Sequence, residues 1–401
     1  MTAPEASVSV SVDGRRRQRH PIALTLLRRG LQLVLTGGND RAESVMEQST
    51  DVYLDETRFA DEVRELFLRR PVFAALSVEL PRPGSFKTLE IPGCPVVVVR
   101  EQDGSVRAMV NVCRHRGANV AYGTGTAHAF VCKFHGWAYG LDGALRKIRG
   151  GDNFGELDTS CLGLPQVAAA EKHGLIFVRA TPLSVDPSPI DVDEVLCGLG
   201  EQLGAWELGD LPEPIRSETV HTASNWKLAV DGYLEPYHFA SLHKTTVAKY
   251  NNSNQATFDA YGPHSLNGFL GRRVADLEGV PEAEWKVMKH IQCIYMLFPN
   301  TILSVMQDHV EYSQLFPGKS VAENVMNHVY FPYPDWDSGD THAARFDNTQ
   351  WILTAEDIPM AEEVHRNIVD HGITTFVFGR NEPALQHQHR TINSIIEEAR
   401  R

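Results

Sequence analysis

The sequence predicts an α+β protein in which a small all-β module precedes a larger domain, whose antiparallel sheet is covered by helices. Three observations lead to this prediction. Short strand-like runs, interrupted by Gly and Pro, fill residues 71–178. Longer strand-like runs follow at residues 290–331. Two helical stretches come last, at residues 355–369 and 382–400, and strands followed by helices are typical of the α+β class.

Composition and spacing divide the chain into four parts. Residues 1–50 have the character of an N-terminal extension that is partly disordered. Residues 51–74 place apolar side chains at helical spacing, which predicts a helix that packs on the later domain. The Pro-rich segment 181–190 marks the end of the β module, which we place at residues 75–185. Residues 186–401 form the predicted domain of sheet and helices.

The strands of both parts are predicted from runs of β-branched and aromatic residues between turn signals. In the β module these runs are residues 86–91, 96–100, 106–112, 129–132 and 174–178. In the larger domain a strand at 216–221 comes before a helix that begins at Ser224. The later strands of that domain are predicted at residues 290–298, 301–305, 310–316 and 324–331.

Two short runs inside the β module carry two thiols and two imidazoles. They are Cys113-Arg114-His115 and Cys132-Lys133-Phe134-His135, with sixteen residues between His115 and Cys132. One Cys and one His from each loop make the ligand set of a Rieske [2Fe–2S] centre, in which two Cys bind one iron and two His bind the other. Because neutral imidazoles replace two thiolates, such a centre has a raised reduction potential and accepts electrons readily.

The alternative for these four residues is a structural zinc site, because zinc also binds two Cys and two His. The neighbouring residues favour the cluster. The stretch reads CRHRG…CKFHGWAYGLDG and resembles the cluster-binding loops of Rieske proteins, including the glycines that let backbone amides approach the sulfurs. An electron-transfer protein or a zinc-stabilised binding protein is the non-enzyme alternative.

The helix predicted after Ser224 carries a second set of side chains that bind metals. Its sequence, NWKLAVDGYLEPYHFASLH, contains Asp231, Glu235, His238 and His243. Helical spacing places the first three of these on one face. His243 follows His238 by five residues, so the two imidazoles can meet one metal ion only if the helix bends or ends. Pro236 favours such a distortion.

Two imidazoles and one carboxylate on one face of a metal form the facial triad of non-haem Fe(II) oxygenases. The carboxylate must come from elsewhere in the chain. Asp357 is our candidate and the neighbouring Glu356 is the rival. On its own, an Asp before Ile358-Pro359 would be interpreted as a helix N-cap. The cluster upstream favours a metal ligand, because an electron-transfer centre needs an acceptor.

Taken together, these motifs resemble the α subunit of Rieske non-haem iron oxygenases, the ring-hydroxylating oxygenase family. The resemblance extends from about Tyr53 to the C-terminus and does not cover residues 1–50. It rests on the two cluster loops and on three further motifs. These are Asn225-Trp226-Lys227, Glu235-x-Tyr237-His238-x₄-His243, and Gly379-Arg380-Asn381-Glu382.

The resemblance implies a role for each candidate residue. It implies that His238, His243 and Asp357 bind the catalytic Fe(II). It also implies a head-to-tail homotrimer, in which Glu235 links a cluster histidine of the neighbouring subunit to His238, with Asp231 as a further member of this network. Many ring-hydroxylating dioxygenases have Asp where this chain has Glu235, and a Glu there is similar to the carnitine monooxygenase-like branch.

Composition and missing motifs limit the kinds of partner that the sequence predicts. The formal net charge of −13 argues against a nucleic-acid partner, and the lack of any run of eighteen apolar residues predicts no membrane span. Four Cys outside the loops show no framework spacing, so we expect reduced thiols and a cytoplasmic protein. Because the sequence has no GxGxxG fingerprint and no second Cys-rich motif, a separate NAD(P)H-dependent reductase, with or without a ferredoxin, must supply the electrons.

The substrate stays open at this level. We expect mono- or dioxygenation of an aromatic or hydrophobic small molecule, because seven aromatic side chains could line an apolar pocket. They are Tyr237, Phe239, Phe258, Tyr261, Phe269, Tyr295 and Phe298. The same side chains could cage a methylated ammonium group, so oxidative demethylation or cleavage of a quaternary ammonium substrate is the alternative.

Overall fold

The structure, a computed structural model, describes residues 17–333 and 341–401. Two seven-stranded antiparallel sheets form its framework, and two smaller sheets have three strands and two strands. Helices cover the second large sheet, so the predicted α+β class is confirmed. The disorder predicted for the first residues of the chain lies outside the described residues.

The first large sheet, with the small three-stranded sheet, makes up the β module. Its strand order is β2-β11-β10-β5-β4-β3-β6, and the three-stranded sheet has the order β7-β8-β9. The strands are β2 (Val72–Leu76), β3 (Ser85–Ile91), β4 (Cys94–Arg100), β5 (Val106–Val110), β6 (Thr124–Thr126), β7 (Phe130–Val131), β8 (Ala138–Tyr139), β9 (Leu145–Lys147), β10 (Gln166–Lys172) and β11 (Leu175–Pro182). One metal-ligating run follows β5 and the other joins β7 to β8.

The second large sheet is a continuous antiparallel sheet in the larger domain. Its strand order is β12-β18-β17-β16-β15-β14-β13. The strands are β12 (Arg216–Thr222), β13 (Asn251–Tyr261), β14 (His264–Gly271), β15 (Ile291–Leu297), β16 (Thr301–Val305), β17 (His309–Pro317) and β18 (Asn324–Pro332). The four strands predicted between residues 290 and 331 are thus neighbours in one sheet.

Both faces of this second sheet are buried. Successive residues of a strand point to opposite faces, so neighbours in the chain show the burial of different faces. Tyr295 and Leu303 belong to the hydrophobic core on one face. Their chain neighbours Met296 and Ile302 belong to the core on the other face, together with Trp226 of the helix that begins the candidate site. The sheet therefore packs against the helix that begins the candidate metal site.

Helix α1 (Pro21–Thr36) differs from the expectation of an appended segment. It packs on the second sheet, where Leu26 and Leu27 are fully buried. Gly30 allows this close approach, because a Cβ added there would lie 2.3 Å from the Leu270 side chain. The basic residues Arg28 and Arg29 of this helix form ion pairs with Glu282 and Asp259.

The segment predicted as one helix at residues 51–74 has two parts. Helix α2 (Glu56–Glu62) continues into a π-helical turn (Val63–Leu68). This helix packs on the larger domain, where Glu62 pairs with Lys227. The chain then enters β2, which pairs with β11 of the first sheet.

The C-terminal part is more helical than the sequence predicts. Helix α6 (His342–Ile352), a π-helical turn (Leu353–Asp357) and helix α7 (Ile358–His371) form one continuous helical run. Strand β19 (Thr375–Phe378) then pairs with β1 (Met46–Ser49), which fastens the N-terminal segment to the C-terminal one. The remaining helices described are α3 (Val192–Leu196), α4 (Gly200–Gly204), α5 (Trp226–Tyr233) and α8 (Pro383–Ala399).

Candidate metal sites

The two loops of the β module have the same backbone design. In the first, the Cys113 amide donates to the Ala118 carbonyl and the Gly117 amide donates to the Cys113 carbonyl, at 2.8 and 3.0 Å. In the second, Cys132, Gly136 and Trp137 repeat these two bonds at 2.8 and 2.9 Å. Gly117 and Gly136 both have positive φ, which a side chain would disfavour. Each loop is therefore a tight turn that presents one Cys and one His.

The four candidate ligands are brought together, and the Nδ1 atoms of the two histidines have no hydrogen-bond partner among the described residues. Cys113 and Cys132 are buried, and the rings of His115 and His135 lie 4.6 Å apart. Both Nδ1 atoms of these histidines are buried without a hydrogen-bond partner among the described residues. Buried ring nitrogens without partners are costly, so these two atoms are suited to binding a metal.

The spacing of the four donors favours a two-iron cluster over one zinc ion. Ligands of a tetrahedral zinc ion lie about 3.5 Å apart, because each is about 2.0–2.3 Å from the metal. Among the described residues, the only three ligand atoms within 4.8 Å of one another belong to another group, His238, His243 and Asp357. The four loop donors do not form such a group, so they lack the close spacing that one tetrahedral zinc ion needs.

Tyr139 is a member of this site that the sequence did not single out. Its hydroxyl accepts a hydrogen bond from the Arg114 amide at 2.9 Å and lies 3.2 Å from the Cys113 Sγ. Burial and the neighbouring Cys113 raise the pKa of Tyr139, so the hydroxyl stays protonated and can donate to the sulfur. Trp137 stacks on His115 with their ring centroids 4.9 Å apart.

The segment predicted as one helix from Ser224 is broken before the first metal-ligating His. Asn225 caps α5, where its side chain accepts from the Lys227 amide at 3.0 Å. After Tyr233 the chain leaves the helix, and a 3₁₀ turn (Tyr237–Ala240) follows Pro236. The proline removes a backbone donor, which explains the break.

This break allows three donor atoms to converge. His243 Nε2 lies 2.9 Å from Asp357 Oδ1, and His238 Nε2 lies 3.9 Å from the same oxygen. Donor atoms that are about 2.1 Å from one metal ion and at right angles to each other lie about 3 Å apart. The three residues therefore fit a facial triad, with the remaining positions open.

Two further carboxylates orient the imidazoles. Glu235 Oε1 lies 2.6 Å from His238 Nδ1, and Glu356 Oε2 lies 2.7 Å from His243 Nδ1. The structure thus places Asp357 at the Nε2 side and Glu356 at the Nδ1 side, so Glu356 is not the third donor. Burial opposes protonation of His243, but the carboxylates of Asp357 and Glu356 outweigh it and raise the pKa of this imidazole.

Asp357 does not begin a helix, as an N-cap would. It lies at the end of the π-helical turn within the run from α6 to α7, and its side chain makes no capping hydrogen bond. Pro359 cannot donate to the preceding turn, which favours a wider turn at this point. Single π turns inside α-helices are frequent at functional sites.

Asp231 shares the cavity with Glu235, but its hydrogen bonds differ from those we expected. Its Oδ2 accepts from the Tyr53 hydroxyl at 2.7 Å, and its Oδ1 lies 2.9 Å from His389 Nε2. Tyr53 and His389 are buried. Sequence analysis missed both, because they lie 178 and 158 residues from Asp231 along the chain.

A cavity of about 240 Å³ opens beside the triad. Asp231, Glu235, His238 and Asp357 supply its acidic and imidazole groups, and most of the remaining wall is apolar. None of the seven aromatic residues that the sequence suggested lines it. Those residues serve mainly as core, and the aromatic side chains in the wall are Tyr233, Phe376 and Phe378.

The fold brings together two groups of candidate metal ligands, one in each large domain. Each of these domains matches a known family. Residues 70–164 match the Rieske [2Fe–2S] domain, and residues 210–398 match the catalytic domain of ring-hydroxylating α subunits. The chain therefore carries a Rieske [2Fe–2S] domain and a ring-hydroxylating α-subunit catalytic domain, and these two domains imply a [2Fe–2S] cluster and a mononuclear iron.

Three relatives resemble about half of this chain. The oxygenase subunit of glycine betaine monooxygenase from Chromohalobacter salexigens is 34% identical over 193 residues, or 48% of this chain and 42% of its own. The oxygenase subunit of carnitine monooxygenase from Escherichia coli K12 is 35% identical over 194 residues, or 48% and 50%. The large oxygenase component of the naphthalene 1,2-dioxygenase system from Pseudomonas aeruginosa is 38% identical over 227 residues, or 55% and 48%. The chain spans about half the length of these curated relatives.

The fold also matches solved structures. The quaternary ammonium Rieske monooxygenase CntA, in complex with L-carnitine, superposes with a TM-score of 0.71 at 20% identity. The match covers 92% of this chain and 98% of that one. At this identity the likeness concerns the fold. Within the described residues, no helix combines the length and apolar character that crossing a membrane would need.

Proposed function

We propose that this chain is the terminal oxygenase component of a multicomponent system, and that it acts on a small quaternary ammonium compound by oxidative demethylation or C–N cleavage. The observation that carries the proposal is the convergence of His238, His243 and Asp357 beside a cavity whose polar lining is acidic. When bound, the cluster supplies one-electron transfer and the mononuclear iron supplies dioxygen activation.

The residues of the chain have distinct parts in this proposal. Cys113, Cys132, His115 and His135 would hold the cluster, and Tyr139 would steady the sulfur of Cys113 by a hydrogen bond. His238, His243 and Asp357 would hold the iron. Glu235 and Glu356 fix the ring orientations of the two histidines, because a carboxylate on Nδ1 directs Nε2 toward the metal.

We further propose that the active form is a homotrimer that receives electrons from a separate NAD(P)H-dependent reductase. The loop that bears Cys132 and His135 exposes Val131 and Phe134 by more than half of their surface. Exposed apolar side chains beside a redox centre suit docking against a neighbouring subunit. In that arrangement Glu235 would connect a cluster histidine of the neighbour to His238.

The size and the lining of the cavity support the choice of a quaternary ammonium substrate. The cavity volume of about 240 Å³ is below the roughly 300–1,000 Å³ of pockets for drug-sized ligands, so the cavity suits a small molecule. Its polar wall is acidic, and its described lining contains no Lys or Arg. Relatives named for glycine betaine and carnitine agree with this choice.

A turnover assay tests the proposal directly. The metal-loaded chain is incubated with a surrogate reductase, NADH and either glycine betaine, carnitine or choline, while oxygen uptake, formaldehyde and tertiary amine are measured. The proposal expects oxygen uptake coupled to a tertiary amine for at least one of them, with formaldehyde if a methyl group is removed and with a larger carbonyl product if another C–N bond is cleaved. Asp357→Ala is the matched control, because it should abolish the product while the cluster remains reducible.

Ring hydroxylation of an aromatic compound is the second candidate. The naphthalene 1,2-dioxygenase relative is 38% identical, and most of the cavity wall is apolar. The same assay with naphthalene decides between the two. A dihydrodiol or phenol without formaldehyde from any ammonium compound would replace the first proposal by this one.

A further inference from the structure

Asp231 lines the cavity, and both oxygens of its carboxylate have buried hydrogen-bond partners. The Tyr53 hydroxyl donates to Oδ2 at 2.7 Å, and His389 Nε2 donates to Oδ1 at 2.9 Å. Both partners are almost fully buried, at 0% and 1% exposure. The carboxylate is therefore held in one orientation before any ligand arrives.

The contacts of His389 are on one ring nitrogen. Its Nε2 lies 2.9 Å from Asp231 Oδ1 and 3.1 Å from the Tyr53 hydroxyl, whereas its Nδ1 is buried and has no hydrogen-bond partner among the described residues. Among the described residues, no Lys or Arg forms an ion pair with Asp231.

Two cations of this neighbourhood, Lys227 and Arg58, are paired with another carboxylate. Lys227 and Arg58 both bind Glu62, at 2.5 and 2.9 Å. On the cavity side stand further carboxylates, and no Lys or Arg belongs to the described lining. Burial, together with the charges of Glu235 and Asp231, raises the pKa of the nearby Glu382, which indicates a negative potential in this region.

We propose that Asp231 is the counter-ion for the permanent positive charge of the ligand, and hence a residue that determines specificity. This inference rests on the proposed function and deepens it. A quaternary ammonium group cannot donate a hydrogen bond, so its recognition depends on a nearby negative charge and on apolar or aromatic contact. The cavity offers both, because Tyr233, Phe376 and Phe378 stand in the same wall as Asp231.

The test compares a cation with its neutral shape analogue. Choline and dimethylbutanol differ only in that carbon replaces the ammonium nitrogen, so their affinities for the metal-loaded full chain, measured by calorimetry, isolate the effect of charge. Wild type should bind choline about tenfold more tightly or better. Asp231→Asn keeps the shape of the side chain and one acceptor oxygen, and replaces the other oxygen by an NH2 donor that the Tyr53 hydroxyl can accept. It should lose the preference for choline without weakening the binding of dimethylbutanol.

Two control variants separate charge from architecture. Tyr53→Phe removes one hydrogen bond but leaves the carboxylate charged, so it should retain the preference for choline. Glu278→Gln removes one charge from an exposed position and should also retain it. Iron content and thermal melting of each variant establish that it is folded.

Two results would overturn the inference. One is an Asp231→Asn protein that still prefers choline as wild type does. The other needs no variant: wild type that binds choline and dimethylbutanol equally. Demethylation of an ammonium compound by wild type would leave the proposed function standing in either case. If wild type neither binds nor demethylates any quaternary ammonium compound, the proposed function itself fails.

Discussion

At the scale of single residues, each imidazole of the mononuclear site lies between two carboxylates with different tasks. Asp357 faces both Nε2 atoms, whereas Glu235 and Glu356 each hold one Nδ1. This division fixes the tautomer and the direction of each ring. Glu356 and Asp357 are adjacent in sequence but contact different ring nitrogens. Substitution of each residue in turn should therefore affect metal binding differently.

We predict that Asp357→Ala binds no mononuclear iron and keeps the cluster, because it removes the carboxylate that lies beside both Nε2 atoms. Glu356→Gln should still bind the iron, with an affinity weakened by about 10–100-fold, since it alters only the support of His243. Titration of the cluster-loaded apoprotein with Fe(II) measures both constants. Loss of the site in Glu356→Gln but not in Asp357→Ala would reverse the assignment.

We predict that Glu235→Ala retains both metal centres but has almost no turnover. The carboxylate accepts hydrogen bonds from the Tyr237 and His238 amides and from the His238 ring, so the variant loses the group that positions this histidine. Glu235→Gln keeps two acceptor–donor contacts and should retain more activity. Iron analysis alongside steady-state rates checks this, and full activity of Glu235→Ala would remove the proposed link.

The residues that converge at the two candidate metal sites were largely predictable, because metals demand particular donor types at short spacings. The supporting residues were not. Tyr139 lies 26 residues from Cys113, and Tyr53 lies 178 residues from Asp231, so only the folded chain joins them. The prediction of the aromatic lining was wrong for a related reason: a large apolar side chain has the same sequence signature in a core as in a cavity wall.

At the scale of elements, backbone irregularities place the triad. The break after α5 lets His238 and His243 face one point, and the π-helical turn before α7 brings Asp357 to it. The sequence indicated the first, because Pro236 stands between the ligands. It misplaced the second, because Pro359 suggested a helix start where the chain has a helix interior.

Helix α1 is a second element whose role the sequence understated. We predict that Leu27→Ala lowers the free energy of unfolding by about 2–5 kcal/mol, because this side chain is fully buried against the second sheet. Leu35→Ala, on the same helix but 39% exposed, should change it by less than about 0.5 kcal/mol. Urea unfolding of both variants measures the difference. Equal effects would show that α1 is peripheral.

At the scale of the whole molecule, a buried charge cluster in the second sheet should make stability depend on pH. His309 lies between Asp308 and Glu311. Burial opposes its protonation, but hydrogen bonds to both carboxylates outweigh this and raise the pKa of His309 to about 9. The same contacts lower the pKa of Glu311, whose contribution therefore changes only as the pH falls.

These pKa values determine the direction in which stability changes with pH. An unfolded histidine has a pKa of about 6.5, so the stabilisation from His309 is fully present below that pH and is lost as the pH rises through about 9. The free energy of unfolding of wild type should fall across this window more steeply than that of His309→Gln. Parallel curves for the two proteins would contradict the assignment.

The organisation of the whole chain was predictable in outline. Cluster loops in a β module and a helix with spaced histidines each leave a local signature, and each lies within a stretch that matches a family domain, residues 70–164 and 210–398. The pairing of β1 with β19 and the packing of α1 on the second sheet were not predictable. These contacts join distant segments by shape and burial, for which the sequence has no periodic signal.

The central claim is that one chain holds two separate iron sites with the ligands named here. Anomalous scattering at the iron edge, from crystals of the metal-replete protein, tests it most directly. We expect a two-iron peak between Cys113, His115, Cys132 and His135, and a separate single peak bounded by His238, His243 and Asp357. No iron between the last three residues, or a lone zinc between the first four, would contradict the account.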